Sequence, residues 1–217
     1  MIARSILLAA FGAAMGFVEA AVVVYLRAVI GAGPLFPMKD LPPLLLSIEI
    51  GREAATLVML VFVAVLSVRG AARRMGAFLL LFSSWDAFYY LWLRIATGWP
   101  DGVGDWDILF LIPLPWVGPV WSVLVICAGM AAFAILFLRM PAEASFSPGL
   151  WGWVCGVVGV AIVVATYILE WAKIDYGRGV PSDFSLGSYA AGIALLAAAG
   201  SVAVRSSKSA WRRDRIL

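Results

Sequence analysis

The sequence contains no histidine and only two cysteines among its 217 residues. Imidazole is a usual ligand of haem and zinc, completes Glu-x-x-His di-iron sites, and is the base in Ser-His and Cys-His catalysis. These sites are therefore excluded, and the sequence identifies no cofactor and predicts no metal site. Cys127 and Cys155 lie within apolar runs. A free cysteine there behaves as a small hydrophobic residue, so we predict neither a disulfide nor a metal ligand.

Charged residues are also scarce, at 13% of the chain, whereas 64% of the residues are hydrophobic and the mean hydropathy is +0.99. A soluble domain is typically about 45–50% apolar and about 25% charged. The composition therefore predicts an integral membrane protein whose first partners are membrane lipids. No folded basic domain accompanies the few cationic residues, so nucleic acid is not a predicted partner.

Six apolar stretches are long enough to cross a bilayer, which takes about 20 helical residues. The first is longer than the usual apolar core of a signal peptide, about 7–15 residues, and it carries Glu19, which favours a retained helix. We predict an all-α, polytopic transmembrane helix bundle of about six spans, near residues 5–27, 44–68, 76–97, 116–138, 150–171 and 186–204.

The chain is predicted to form one transmembrane domain over residues 1–204, followed by a basic cytoplasmic tail over 205–217. Basic residues are enriched in cytoplasmic loops. One side of the membrane receives Arg4, Arg69, Arg73, Arg74, Arg139 and the tail residues Arg205, Lys208, Arg212, Arg213 and Arg215, against Arg27, Lys39, Lys173 and Arg178 on the other. This bias places both termini in the cytoplasm. Abundant Ala, Gly and Arg without His are compatible with a GC-rich bacterium, hence with a bacterial inner membrane.

Residues 98–119 depart from a plain helical pattern. Trp99-Pro100-Asp101-Gly102 predicts a turn, and three prolines follow the apolar run 108–112 at positions 113, 115 and 119. Proline removes a backbone donor and interrupts a helix. We predict an irregular, Pro-rich outer segment between helices 3 and 4, and both a half-inserted and an interfacial placement remain open.

A group of ionisable residues falls inside the first three predicted spans, in the half nearer the outer surface. Glu49, Arg52 and Glu53 are spaced i, i+3 and i+4 and share one helix face, whereas Asp86 begins a stripe that steps by four. A charge at the bilayer centre costs about 2.5–3.5 kcal/mol on insertion scales, so these groups should face protein. The candidate intramembrane site comprises Glu19, Glu49, Arg52, Glu53, Asp86, Tyr90 and Arg94.

The candidate site holds four acids against two arginines, and two interpretations follow from that imbalance. In the first, the network orders the helices and the surplus acids are neutralised by shifts in their pKa. In the second, the surplus marks a pocket for a lipid headgroup, a quinone, a proton or a small cation, which is the default meaning of ionisable residues inside a membrane.

Two short patterns in the outer segment suggest other chemistry. Gly102-Val103-Gly104-Asp105 resembles the G-x-G-D signature of intramembrane aspartyl proteases, a resemblance that covers four residues and implies Asp86 as the second catalytic aspartate. Here the tetrapeptide follows a turn, however, and is predicted to lie in a loop. Asp101, Asp105 and Asp107 could together hold a hard cation, but acidic outer loops are common and we predict no metal there.

Three functional classes remain open from the sequence. The chain could be a structural or accessory subunit with partner subunits in the membrane, or a module that binds a lipid, a quinone or a cation. Alternatively, it could be a membrane-embedded enzyme acting on a lipid-like substrate, with a carboxyl group as general acid–base and an arginine holding an anionic group.

Overall fold

The fold is that of a computed structural model, which describes residues 2–31, 35–37, 39 and 41–213 and, within these, not the side chains of residues 210, 212 and 213. The predicted helix bundle is confirmed. Its helices are α1 (Ile2–Ile30), α2 (Pro43–Ser67), α3 (Ala71–Thr97), α4 (Val120–Leu138), α5 (Gly149–Lys173) and α6 (Leu186–Arg213). Strands β1 (Trp106–Phe110) and β2 (Trp116–Pro119) form an antiparallel hairpin between α3 and α4.

Five of these helices are long and apolar enough to cross a membrane: α1, α2, α4, α5 and residues Leu186–Ser209 of α6. The remaining helix, α3, is 27 residues long but more polar, because it contains serines, tyrosines and charged residues. It lies against α1, α2 and α4, and its Leu81 and Leu93 are fully buried. Since α3 faces protein on several sides, its polar side chains can point into the bundle instead of toward lipid.

Several boundaries differ from the predicted spans. Helix α3 begins at Ala71 instead of 76, and α4 begins at Val120 instead of 116 because residues 116–119 form strand β2. Helix α6 continues to Arg213, so the first part of the predicted basic tail is helical. The end of that tail, with Arg215, lies outside the described residues.

Helix α1 packs closely on α3 through a row of small residues. Its buried positions are Leu8, Gly12, Gly16 and Ala20, spaced by four and therefore on one face. A Cβ atom added at Gly16 would lie 2.6 Å from the Trp85 carbonyl oxygen. Small residues allow membrane helices to approach this closely, so that van der Waals contact replaces the missing hydrophobic driving force.

Helices α5 and α6 form a second close pair by the same means. A Cβ atom built at Gly159 would lie 3.1 Å from the Gly192 carbonyl oxygen, and one at Gly192 would lie 2.7 Å from a Val163 methyl group. Contacts between α4 and α6 are sparser than those within either close pair. The bundle therefore consists of two groups, α1 to α4 and α5–α6, with a looser seam between them.

The contact between α1 and α3 makes a direct prediction. Gly16→Ala should lower the free energy of unfolding by about 1–3 kcal/mol, because its new methyl group meets backbone atoms that cannot move independently. Gly51→Ala is the matched control, since Gly51 is helical, exposed and has open space around a built Cβ. It should be neutral or stabilising by up to about 1 kcal/mol through helix propensity. Thermal unfolding of both variants in detergent checks this, and equal midpoints would contradict the packing.

Candidate functional site

Arg52 of α2 joins two carboxylates on two helices. Its Nε donates to Glu49 Oε2 at 3.0 Å and its Nη2 donates to Glu49 Oε1 at 2.5 Å, a two-pronged pair within one helix. Its Nη1 donates to the Glu19 carboxylate of α1. Both acids are largely shielded, and a guanidinium presents a planar fork suited to carboxylates. The structure therefore brings together three of the predicted site residues and ties α2 to α1.

The hairpin enters the bundle from the end at which α1 and α3 finish and α2 begins, called here the hairpin end. Its register pairs Trp106 with Pro119 and Ile108 with Val117, and becomes irregular before Phe110. The amide of Leu111, just beyond β1, bonds to Glu53. Glu53 is ten residues into α2, or about 15 Å from its start at 1.5 Å per residue. The hairpin therefore turns into the bundle, and its tip lies about halfway along α2.

Glu53 satisfies the backbone of the hairpin tip. Its two carboxylate oxygens accept from the Leu111 amide at 2.9 and 3.2 Å, and its residue is 5% exposed. The next residues of the tip include Pro113 and Pro115, which carry no backbone N–H. Non-helical backbone at membrane depth is tolerated only where protein buries or satisfies it. Glu53 thus bonds to the backbone of the hairpin and takes part in none of the ion pairs found among the described residues.

Tyr90 lies in a second polar group nearer the hairpin end. Its ring packs edge-on against Tyr89 at 4.8 Å between centroids, and both hydroxyls approach the carboxylate of Asp107. The Tyr89 hydroxyl donates to Asp107 Oδ2 at 3.3 Å. Arg27 lies 4.5 Å above the Trp99 ring and attracts Asp107 electrostatically. Tyr90 therefore lies beside the buried carboxylate of Asp107 in β1 and does not form one polar site with Asp86 and Arg94.

Asp107 lies in β1, outside the six helices, and is 3% exposed. Burial, only partly offset by Arg27 and by hydrogen bonds, raises the pKa of Asp107 to about 6. Desolvation disfavours the charged form of a carboxylate, which accounts for the direction of the shift.

Arg94 lies apart from the rest of the predicted site. It is half-exposed, and its Nη1 donates to the Pro100 carbonyl at 2.9 Å, to Asp101 Oδ1 at 3.2 Å and to the Gly98 carbonyl. These contacts close the end of α3, where the Gly98 amide donates to the Arg94 carbonyl at 3.0 Å with Gly98 at φ +81°. Cations are favourable at a helix C-terminus, so Arg94 is a capping residue.

Asp86 faces a different region from Arg52. Its one hydrogen bond among the described side chains comes from Cys127 Sγ of α4, at 3.6 Å to Oδ2. It lines a cavity of about 580 Å³ in the seam between the two helix groups. The walls come from α3 to α6 and the hairpin, and Asp86 is the single charged residue among them. Large side chains in the walls include Phe82, Phe110, Trp116, Phe133, Tyr167 and Leu196.

Two features of this region could not be predicted from the sequence. Asp107 was considered only as an outer-loop acid and Arg27 only as a loop charge, because their association depends on the hairpin turning inward. The cavity is formed by residues from five separate elements, none of which is unusual alone. Tyr167 is an example: it is 2% exposed, stacks on Trp116 and donates to Ser122 Oγ at 3.0 Å.

The acidic outer turn forms hydrogen bonds within itself. Gly102 to Asp105 form a turn, and Asp105 Oδ2 accepts from the Asp101 amide at 2.6 Å. Within the described part of the chain, no group of three or more potential metal ligands is found. Comparison with protein-family models, with curated proteins and with solved structures finds no match to this chain.

The Arg52 network predicts a characteristic pattern of stabilities. Arg52→Met should destabilise the fold by about 3–5 kcal/mol, because Glu19 and Glu49 would remain shielded from water without a cation. Adding Glu19→Gln and Glu49→Gln to that variant should recover most of the loss. Arg178→Gln is the control, since its pair with Asp175 is 81% and 67% exposed and should contribute less than about 1 kcal/mol. Thermal unfolding in detergent separates the three, and a triple variant no better than Arg52→Met would refute the network.

The buried carboxyl group of Asp107 should make the stability of the fold depend on pH. Its folded pKa of about 6 lies above the ordinary aspartate value, so the folded state binds the proton more tightly than the unfolded state. Stability from this residue is therefore present below about pH 4 and is lost as the pH rises to about 6. Asp107→Asn keeps a hydrogen-bonding group without the charge. Relative to this variant, the wild type should lose stability between pH 4 and 6 and then level off, as measured by unfolding midpoints across that range. Parallel pH profiles would contradict it.

Proposed function

We propose that this chain is a multi-pass membrane protein that binds a lipid-like ligand, with the ligand's hydrophobic chain in the seam cavity. The observation that supports this most directly is the cavity itself: about 580 Å³, apolar on nearly every side, with one carboxylate in its wall. Small-molecule sites are typically about 300–1,000 Å³, mostly apolar, with a few placed polar groups. The lipids and quinones considered from the sequence carry hydrophobic chains of the kind that such a cavity could hold.

In this proposal the Arg52 network has a structural role that serves the cavity. The network holds α2 against α1, and Glu53 on the same helix holds the hairpin at Leu111. The hairpin in turn contributes Leu109, Phe110 and Trp116 to the cavity wall. The two interpretations of the ionisable residues therefore divide between two places: order in the helices near α1 and α2, and recognition at Asp86.

The proposed location is a bacterial inner membrane, with the hairpin end facing outward and both termini in the cytoplasm. Arg69, Arg73, Arg74 and Arg139 lie at the end of the bundle opposite the hairpin, together with the basic C-terminal turns of α6. Positively charged loops remain on the cytoplasmic side. A ligand would then approach from the outer half of the bilayer through the seam.

A photoreactive probe tests the binding proposal. A diazirine-bearing hydrocarbon in nanodiscs should label cavity residues such as Ile126, Met130 and Val163 in a saturable manner, as mapped by mass spectrometry of the peptides. Gly129→Phe should abolish this labelling, because Gly129 lies in the cavity wall and a side chain there meets open space, not a clash.

Gly51→Phe is the matched control, since Gly51 also has open space around its built Cβ but does not line the cavity. It should leave the labelling of the cavity unchanged. Labelling that rises linearly with probe concentration, or that survives Gly129→Phe, would refute a binding cavity. Native mass spectrometry that finds a tightly held foreign subunit and no amphiphile would favour the accessory-subunit class instead.

A further inference from the structure

Asp86 has far more hydrogen-bonding capacity than the protein uses. A carboxylate can accept about four hydrogen bonds, whereas the contact found for Asp86 among the described side chains is the weak thiol donor of Cys127 at 3.6 Å. A carboxylate in apolar surroundings is costly unless it is hydrogen-bonded or paired. The open acceptor positions of Asp86 adjoin the cavity, where a ligand's polar end could reach them.

The charges around Asp86 favour one kind of polar end. Asp86 takes part in none of the ion pairs found among the described residues. The charged groups that act on it from a distance are the carboxylates of Glu19 and Asp107. Arg52, the nearest arginine to Glu19, is already paired with Glu19 and Glu49. The surroundings of Asp86 therefore offer hydrogen-bond acceptors and negative electrostatic potential, which disfavours an anionic ligand.

Depth limits the size of the polar end as well. Asp86 is eleven residues before the end of α3 at Thr97, or about 17 Å along the helix. A bulky, strongly hydrated group such as a phosphodiester or a sugar would lose its water at this depth with few protein partners to replace it. A small group that donates one or a few hydrogen bonds loses less and gains the Asp86 carboxylate.

We infer that the cavity recognises an amphiphile with a small hydrogen-bond-donating end, an aliphatic alcohol or a protonated amine, and that Asp86 is the acceptor. This inference rests on the proposed function, because the hydrocarbon chain occupies the seam cavity. Carboxylate and phosphate ends are disfavoured because the described cavity wall offers them no cation, and ether ends bind less well because they offer no proton. Asp86 is thus the residue that determines headgroup specificity.

The test is competition against the hydrocarbon photoprobe in nanodiscs, with competitors that share one chain: dodecanol, dodecylamine, dodecyl methyl ether, dodecanoate and dodecyl phosphate. Competitors are compared at equal amounts in the membrane, so that partitioning does not decide the order. In the wild type, dodecanol and dodecylamine should displace the probe at concentrations at least about tenfold lower than the other three, a factor worth about 1.4 kcal/mol.

Variants of Asp86 separate the contribution of its charge from that of its hydrogen-bond acceptor. Asp86→Asn keeps an acceptor but removes the charge, so the advantage of dodecylamine should fall at least about tenfold while that of dodecanol falls less. Asp86→Leu should erase the advantage of both over the ether. Asp101→Asn is the control, because Asp101 is an acid in the exposed outer turn, 92% exposed in its side chain, and it should change nothing.

The possible results separate a failure of the headgroup specificity from a failure of the binding cavity itself. Saturable cavity labelling with equal displacement by all five headgroups, or with dodecanoate or dodecyl phosphate strongest, overturns the specificity and leaves the cavity intact. An ether that competes as well as the alcohol also overturns it, since Asp86 would then not be an acceptor for the ligand. Absence of saturable labelling overturns the cavity and the inference together. If Asp86→Leu does not fold, the wild-type series and Asp86→Asn still decide.

Discussion

The structure depends on the requirement that backbone hydrogen bonds be satisfied inside the membrane. A β-hairpin with an irregular tip would ordinarily not persist there, because unpaired N–H groups in hydrocarbon cost several kcal/mol each. This hairpin reduces that cost in two ways: Glu53 accepts the Leu111 amide with both carboxylate oxygens, and Pro113 and Pro115 have no amide hydrogen to satisfy. Because the same hairpin forms one wall of the cavity, the cavity depends on a carboxylate–backbone contact made on another helix.

The intramembrane acids consequently have different tasks despite their similar depth. Glu19 and Glu49 neutralise Arg52 and together hold two helices, and Glu53 holds the hairpin. Among the described residues Asp86 has neither a cation nor a strong donor, although it is the one charged residue they contribute to the cavity wall. Buried ion pairs contribute little net stability but are severely disruptive when broken, which suits a framework. A carboxylate without a cation among the described residues is suited to recognising a ligand from outside the chain.

The sequence predicts the parts of this structure that depend on local pattern. Hydropathy locates the helices, and the i, i+3 spacing places Glu49 beside Arg52, because both signals act within a few residues. The close packing of α1 through Gly12, Gly16 and Ala20 was not predicted, because a row of small residues does not by itself identify α3 as the partner. The hairpin is different: the apolar run 108–112 fits a strand or a buried helix equally well, and its anchoring contact spans 58 residues. Asp107, Tyr89 and Arg27 meet only after that turn inward, so no spacing rule could have grouped them.

The position of the cavity follows from how unevenly the helices pack. Glycine contacts bring α1 to α3 and α5 to α6 so closely that neither pair has room for another side chain. Between these pairs the facing residues are large and aromatic, including Phe82, Phe133 and Trp116, and large side chains hold backbones apart. Where small residues do not bring the helices together, the seam leaves a cavity of about 580 Å³. Close glycine contacts within each pair and bulky aromatic side chains between the pairs thus account for the position of the cavity in the seam.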